Sequence, residues 1–152
     1  MKKFQMRSNS FLNLLYNRLS THRLYLIYLP LAVYWVLLFV LTTIPVDKMP
    51  HLFQYQDKIE HLLAYGVLAF LLTLALFFQS RSNLLSSKAF IFSFLFILAY
   101  GAVDEFHQML VPGRYCDLYD WIADVVGGSL GIGLVYLFLN SLKVKEPETK
   151  NI

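Results

Sequence analysis

The chain contains a single cysteine, Cys116, so no internal disulfide can form and the thiol assigns no redox compartment. Charge is scarce. Only 15% of the 152 residues are Asp, Glu, Lys or Arg against 57% hydrophobic, which excludes a soluble domain with alternating core and surface residues. Familiar chemical signatures are missing too: no P-loop, no GxGxxG, no HExxH, no zinc-finger spacing and no Ser-His-Asp order. Ser, Thr and Cys116 therefore offer no recognisable nucleophile. The hard oxygens and imidazoles present lack a compact ligand spacing, so no metal is assigned and the cofactor stays open. The net charge of +3 flanks apolar runs and makes no soluble basic face, which argues against a nucleic-acid partner.

What the chain has instead is four apolar runs. The first, Leu24 to Ile44, is uncharged and about as long as the ~20 residues a helix needs to cross hydrocarbon. It exceeds a signal-peptide core and no A-x-A-like site follows, so it reads as a retained helix in which Pro30 introduces a kink. The others run from about His61 to Phe78, from Ala89 to about Val103, and from Ile122 to Leu142. The third is short and is expected to continue helically through Asp104 to Gln108. Together they predict an all-α integral membrane protein. Its expected form is an antiparallel bundle of four transmembrane helices, 24–142, between a basic arm, 1–23, and a polar tail, 143–152.

Ten of the thirteen basic residues lie in the arm (Lys2, Lys3, Arg7, Arg18, Arg23), after the second run (Arg81, Lys88) and in the tail (Lys143, Lys145, Lys150). The opposite segments, Pro45 to His61 and Asp104 to Asp124, hold eight of the ten acids. By the positive-inside trend both termini are expected in the cytoplasm, in a cell membrane, with the acids facing outward. In the arm, Phe11, Leu15 and Leu19 share a helical face with Leu12 and Tyr16. They make either a short amphipathic helix on the inner leaflet or a disordered basic arm that only sets topology. Trp35, Tyr55, Tyr115, Tyr119 and Trp121 read as interfacial anchors.

Ionisable groups are costly at a membrane boundary, so the acids need a reason. Asp57 and His61, four apart at the start of the second run, share a helical face and can bond or hold a ligand together. The bland reading is a capped helix start. Asp104, His107 and Gln108 share a face at the end of the third run, and Glu105 can pair with Gln108. Two acids at a helix C-terminus oppose the macrodipole, which makes Arg114, on the tight turn Val111-Pro112-Gly113, the expected compensator. Its planar fork suits a carboxylate or a phosphate. Asp117 or Asp120 can cap the fourth helix. Asp124 lies about a turn inside it, so it is expected to face the interior and have a partner. Gly127 and Gly131, preceded by Ala123, form a small-residue stripe for close helix approach, internally or in a homo-oligomer.

Asp57-Lys58 with His61 and Tyr65, Asp104-Glu105 with Gln108, Val111-Pro112-Gly113-Arg114, and Asp120 with Gly127 and Gly131 resemble the VanZ-like membrane proteins in order and spacing. The resemblance covers about Asp57 to Gly133. It implies a small multi-helix membrane protein and a context of resistance to the glycopeptide teicoplanin, the property associated with the family's name-giving member. The polar positions carried over are Asp57, His61, Asp104, Glu105, Gln108, Arg114 and Asp120. Asp124 stands where the family pattern leads one to expect Asn.

These residues predict an outward-facing site, Asp57, His61, Asp104, Glu105, Gln108, Arg114, Asp120 and Asp124, for a lipid-linked envelope component or a glycopeptide among the membrane lipids. Glu105, His61 and Asp104 are the candidates for acid and base if the site is catalytic. The alternatives are a non-enzymatic accessory protein that limits drug access or binds a partner, and a polar lock without chemistry.

Overall fold

A computed structural model of the chain describes residues 10–45 and 53–142. The arm's Lys2, Lys3 and Arg7 and the 143–152 tail lie outside these residues. Among the described residues all regular structure is helical: α1 (Ser10–Thr21), a π-helical turn (Leu24–Tyr28) running into α2 (Leu29–Thr42), α3 (Gln56–Phe78), α4 (Asn83–Ser87), α5 (Ala89–Gln108) and α6 (Leu118–Ser141). Four stretches are long and apolar enough to cross a membrane: Leu24–Thr42, α3, α5 and α6. The third span does continue to Gln108. The second begins at Gln56, before His61, because Gln56 to Glu60 complete the first helical turns in spite of their polarity.

Pro30 causes no break. The helix widens just ahead of it, where the Leu29 N–H bonds the Leu24 carbonyl, and so makes room for a residue that has no N–H of its own.

The most extensive packing joins α3 and α6, which are not consecutive in the chain. Gly127 and Gly131 lie against the backbone of α3. A Cβ on Gly127 would overlap the Leu62 carbonyl, and one on Gly131 the Gly66 carbonyl. The glycine stripe therefore packs within the chain, with Gly66, on α3, as its counterpart. Gly133, with nothing within 4 Å of a built Cβ, takes no part. Contacts between α3 and α6 rise together along both sequences, from Lys58 with Asp120 to His61 with Asp124 and Gly66 with Gly127. Those between α5 and α6 run in opposite senses, from Glu105 with Asp117 to Ile97 with Gly128.

Two apolar clusters complete the packing. Leu38, Tyr65, Leu68, Ala69 and Ile97 fill the middle. Ile27, Leu74, Ala75, Phe78, Val135, Leu139 and Leu142 close the end where α3 and α6 finish. Helix α1 lies over that end through Leu12, Tyr16 and Leu19, whereas Phe11, Leu14 and Leu15 face away. The arm's apolar residues thus divide between two faces. Arg23 donates to the Phe78 carbonyl at 2.9 Å and satisfies an orphan acceptor at the negative end of α3. Elsewhere Val33, Leu37, Leu63, Leu95, Leu130, Leu134 and Leu137 are exposed, as suits helices surrounded by lipid.

Candidate functional site

At the opposite end of the bundle the C-termini of α2 and α5 meet the N-termini of α3 and α6. Three helices bring polar side chains together here. His61 (α3), Asp104, Glu105 and Gln108 (α5), and Asp120 and Asp124 (α6) are all buried.

Asp124 is fully buried, as its place inside the span requires, and its partner is His61, with Nδ1 2.9 Å from Oδ1. Gly101 on α5 makes room for it: a Cβ there would come within 3.1 Å of Asp124 Oδ2. His61 Nε2 lies 3.5 Å from Gln108 Nε2, and Gln108 donates to Asp104 at 3.3 Å along one turn of α5. Glu105 faces α6 rather than Gln108. Its Oε2 accepts the backbone N–H of Asp117 at 2.8 Å, so its charge sits at the positive end of a second helix, which offsets the unfavourable end of its own. Asp117 is the N-cap of α6 and accepts the Tyr119 N–H at 2.8 Å.

Three expectations need correcting. Asp57 does not join His61; its exposed carboxylate pairs with Lys58 at 3.0 Å, because the cluster side of this turn is taken by His61. Arg114 does not fold onto Asp104 and Glu105 through its described bonds. Those go to the carbonyls of Ile44 at 3.0 Å and Leu41 at 3.3 Å, at the C-terminus of α2, and to Gln108 Oε1 at 3.0 Å. The turn itself forms as expected, with the Arg114 N–H on the Val111 carbonyl and Gly113 at φ 78°, the left-handed position a Pro-Gly turn requires. His107 faces α2, where it stacks on Phe39 at 5.0 Å. Trp121 is half-buried and donates to the Leu98 carbonyl, and Trp35 packs on Phe96 and Tyr100, so both tie helices together.

The residue the sequence reading passed over is Lys58. Its ammonium lies 2.8 Å from Asp120, 2.9 Å from Asp117 and 3.0 Å from Asp57, joining the starts of α3 and α6. The Lys58 bond, with the Tyr119 N–H, holds the Asp117 carboxyl below the usual range. The available signal was the sequence Asp57-Lys58 itself, a basic residue within an acidic segment.

A cavity of about 490 Å³ runs from this cluster along α2 and α3. Tyr34, Leu37, Leu38, Leu41, Leu63 and Val67 form its apolar walls; Glu60, His61, Tyr65, Asp104 and Arg114 form its polar end. Leu37, Leu41, Leu63 and Val67 are half-exposed, so it is a groove open on the side of the bundle. The Tyr65 hydroxyl is buried there without a hydrogen-bond partner among the described residues. An imidazole fixed at Nδ1 by a carboxylate and exposed to such a groove is suited to moving a proton, and Asp104 and Glu60 to accepting hydrogen bonds.

The comparisons with known proteins agree with the motifs. The sequence profile described as VanZ/LLP1 matches residues 8–139, most of the chain. No curated protein and no solved structure matches.

Proposed function

The chain belongs to the VanZ/LLP1 family, and on that premise we propose that this multi-pass membrane protein binds, and is built to modify, a lipid-linked component of the cell envelope. The observation that supports this is the lateral groove, apolar along its length and polar at one end. Its shape and chemistry match an amphiphile entering from the lipid: chain against Leu37, Leu41, Leu63 and Val67, headgroup at His61, Tyr65, Asp104 and Arg114. Arg114 meets a phosphate or carboxylate, Asp104 and Glu60 accept from hydroxyls or amides, and His61, held by Asp124, supplies the acid or base if a bond is made or broken.

A second reading, the polar lock, is favoured by a specific observation: Lys58 and Arg114 bond the helix ends to one another. We assign that role to these contacts and the ligand to the groove. In the same reading both termini are cytoplasmic, the groove's polar end faces outward from the cell membrane, and the ligand links the chain to teicoplanin susceptibility.

Native mass spectrometry of the purified chain with a membrane lipid extract tests the groove. Wild type is expected to retain a lipid that Leu63→Trp, which fills the groove, releases. Equal retention by both would remove the proposal. Arg114→Lys is expected to impair retention nearly as much as Arg114→Ala, since a compact ammonium does not reproduce the spread of the planar fork over Ile44, Leu41 and Gln108. Native Cys116 is exposed in the turn after α5. Labelling it with an impermeant maleimide in intact cells is expected to succeed, and labelling only after lysis would reverse the orientation.

A further inference from the structure

We infer that His61, Glu105 and Asp124 form a binding site for a first-row divalent metal ion. The three residues come from α3, α5 and α6, and one ligand atom of each lies within 4.8 Å of the others. Their wide separation in sequence explains why no compact motif announces them. His61 is 9% exposed, Glu105 3% and Asp124 0%.

The second observation is a pair of orphan oxygens. Glu105 Oε1 and Asp124 Oδ2 are buried and have no hydrogen-bond partner among the described residues. The neighbouring cations are directed elsewhere: Lys58 to Asp57, Asp117 and Asp120, and the described bonds of Arg114 to Leu41, Ile44 and Gln108. A His61–Asp124 ion pair alone uses one oxygen of Asp124 and leaves both orphans as they are. A cation among the three residues sets positive charge against two buried carboxylates, each of which has an oxygen still to be satisfied.

The donor set selects the ion. One imidazole with two carboxylates suits Zn²⁺ or Mn²⁺ better than Mg²⁺ or Ca²⁺, which prefer oxygen alone. Bonds of about 2.1 Å require ligand atoms roughly 3–4 Å apart, a closure that side-chain rotation supplies. His61 also borders the groove, so the ion would lie beside its polar end. The inference does not depend on a lipid occupying that groove.

The test uses the purified full chain in detergent, stripped with a chelator and titrated with Zn²⁺ or Mn²⁺ alone. Bound metal is read by elemental analysis after desalting, and stability by the unfolding temperature. Wild type is expected to retain about one equivalent and to unfold at a higher temperature when loaded. Glu105→Gln is expected to weaken retention at least tenfold, and the exposed Asp57→Asn to leave it unchanged. Wild type retaining no metal would overturn the site whether or not any variant folds. So would a folded Glu105→Gln that retains metal as wild type does, or Mg²⁺ at equal concentration displacing Zn²⁺. No lipid is present, so failure here leaves the groove proposal standing.

Discussion

Where α3 and α6 finish, Leu74, Ala75, Phe78, Val135, Leu139 and Leu142 close on Ile27 beneath α1; where the same helices begin, Lys58 joins Asp117 and Asp120, and His61 joins Asp124. The first end shows what fastening two helices requires, namely shape and one cation, Arg23, on a backbone carbonyl. Among the described residues the second end holds four buried carboxylates, Asp104, Glu105, Asp120 and Asp124. Lys58 and Arg114 account for the fastening. The His61–Asp124 and Glu105–Asp117 bonds also join helices, but Asp104 and the unpartnered oxygens of Glu105 and Asp124 go beyond that, and buried polar groups that fasten nothing burden stability unless they serve a ligand.

The comparison breaks most completely in the middle, which both ends share. Gly127→Val forces a side chain onto the Leu62 carbonyl and is expected to cost on the order of 3 kcal/mol or to prevent folding, releasing both ends together. Gly133→Ala, in open space, is expected to stay within about 0.5 kcal/mol of wild type. Thermal unfolding in detergent measures both.

The ends can then be loosened singly. Lys58→Met leaves Asp120, 7% exposed, and Asp117 without their cation and is expected to cost about 2–3 kcal/mol. Leu139→Ala is expected to cost about 2 kcal/mol at the other end through lost packing. Only the Lys58 loss should shrink with added salt, because that residue is partly exposed. Equal salt dependence would mean the ends are fastened alike.

Asp124 sharpens the difference within the polar end. Asp124→Asn keeps a hydrogen-bonding group toward His61 and is expected to fold normally. Asp124→Leu strands His61 and is expected to cost about 1–3 kcal/mol. Matching stabilities for Leu and Asp would show that His61 has no need of this partner.

The smallest effect expected is in acid. The Lys58 bond depresses the Asp117 carboxyl in the folded state, so its contribution is complete above the unfolded value and lost as pH falls through the folded one. The stability gap between wild type and Asp117→Asn is therefore expected to be constant near neutrality and to shrink only below about pH 4. A gap that closes between pH 7 and 5 would refute this.

The spans, the helical continuation to Gln108, the Pro-Gly turn and the interior position of Asp124 were all legible, because each follows from local rules of hydrophobic length, helical period or the cost of a buried charge. The pairing of α3 with α6 was not fully so. The stripe at Gly127 and Gly131 announces a close approach, but only the fold names Leu62 and Gly66 as its target. Lys58 and Arg114 were misjudged for the same reason. Sequence proximity suggested Arg114 for the acids of α5, whereas its described bonds go to Gln108, to Leu41 at the end of α2 and to Ile44, seventy residues away, and Lys58 reaches Asp117 and Asp120 across the bundle. The trio of His61, Glu105 and Asp124 has no local signature at all.

The central claim is that the polar end is a binding site and more than a fastening. Asp104→Asn and Lys58→Met separate the two, since Asp104 lines the groove and Lys58 joins the helices. The decisive measurement is lipid retention by native mass spectrometry beside the unfolding temperature for this pair. The account predicts that Asp104→Asn loses lipid while unfolding within a few degrees of wild type, and that Lys58→Met unfolds early but retains lipid while folded. Full lipid retention by Asp104→Asn, with its stability lowered as much as that of Lys58→Met, would contradict it and reduce the polar end to a lock.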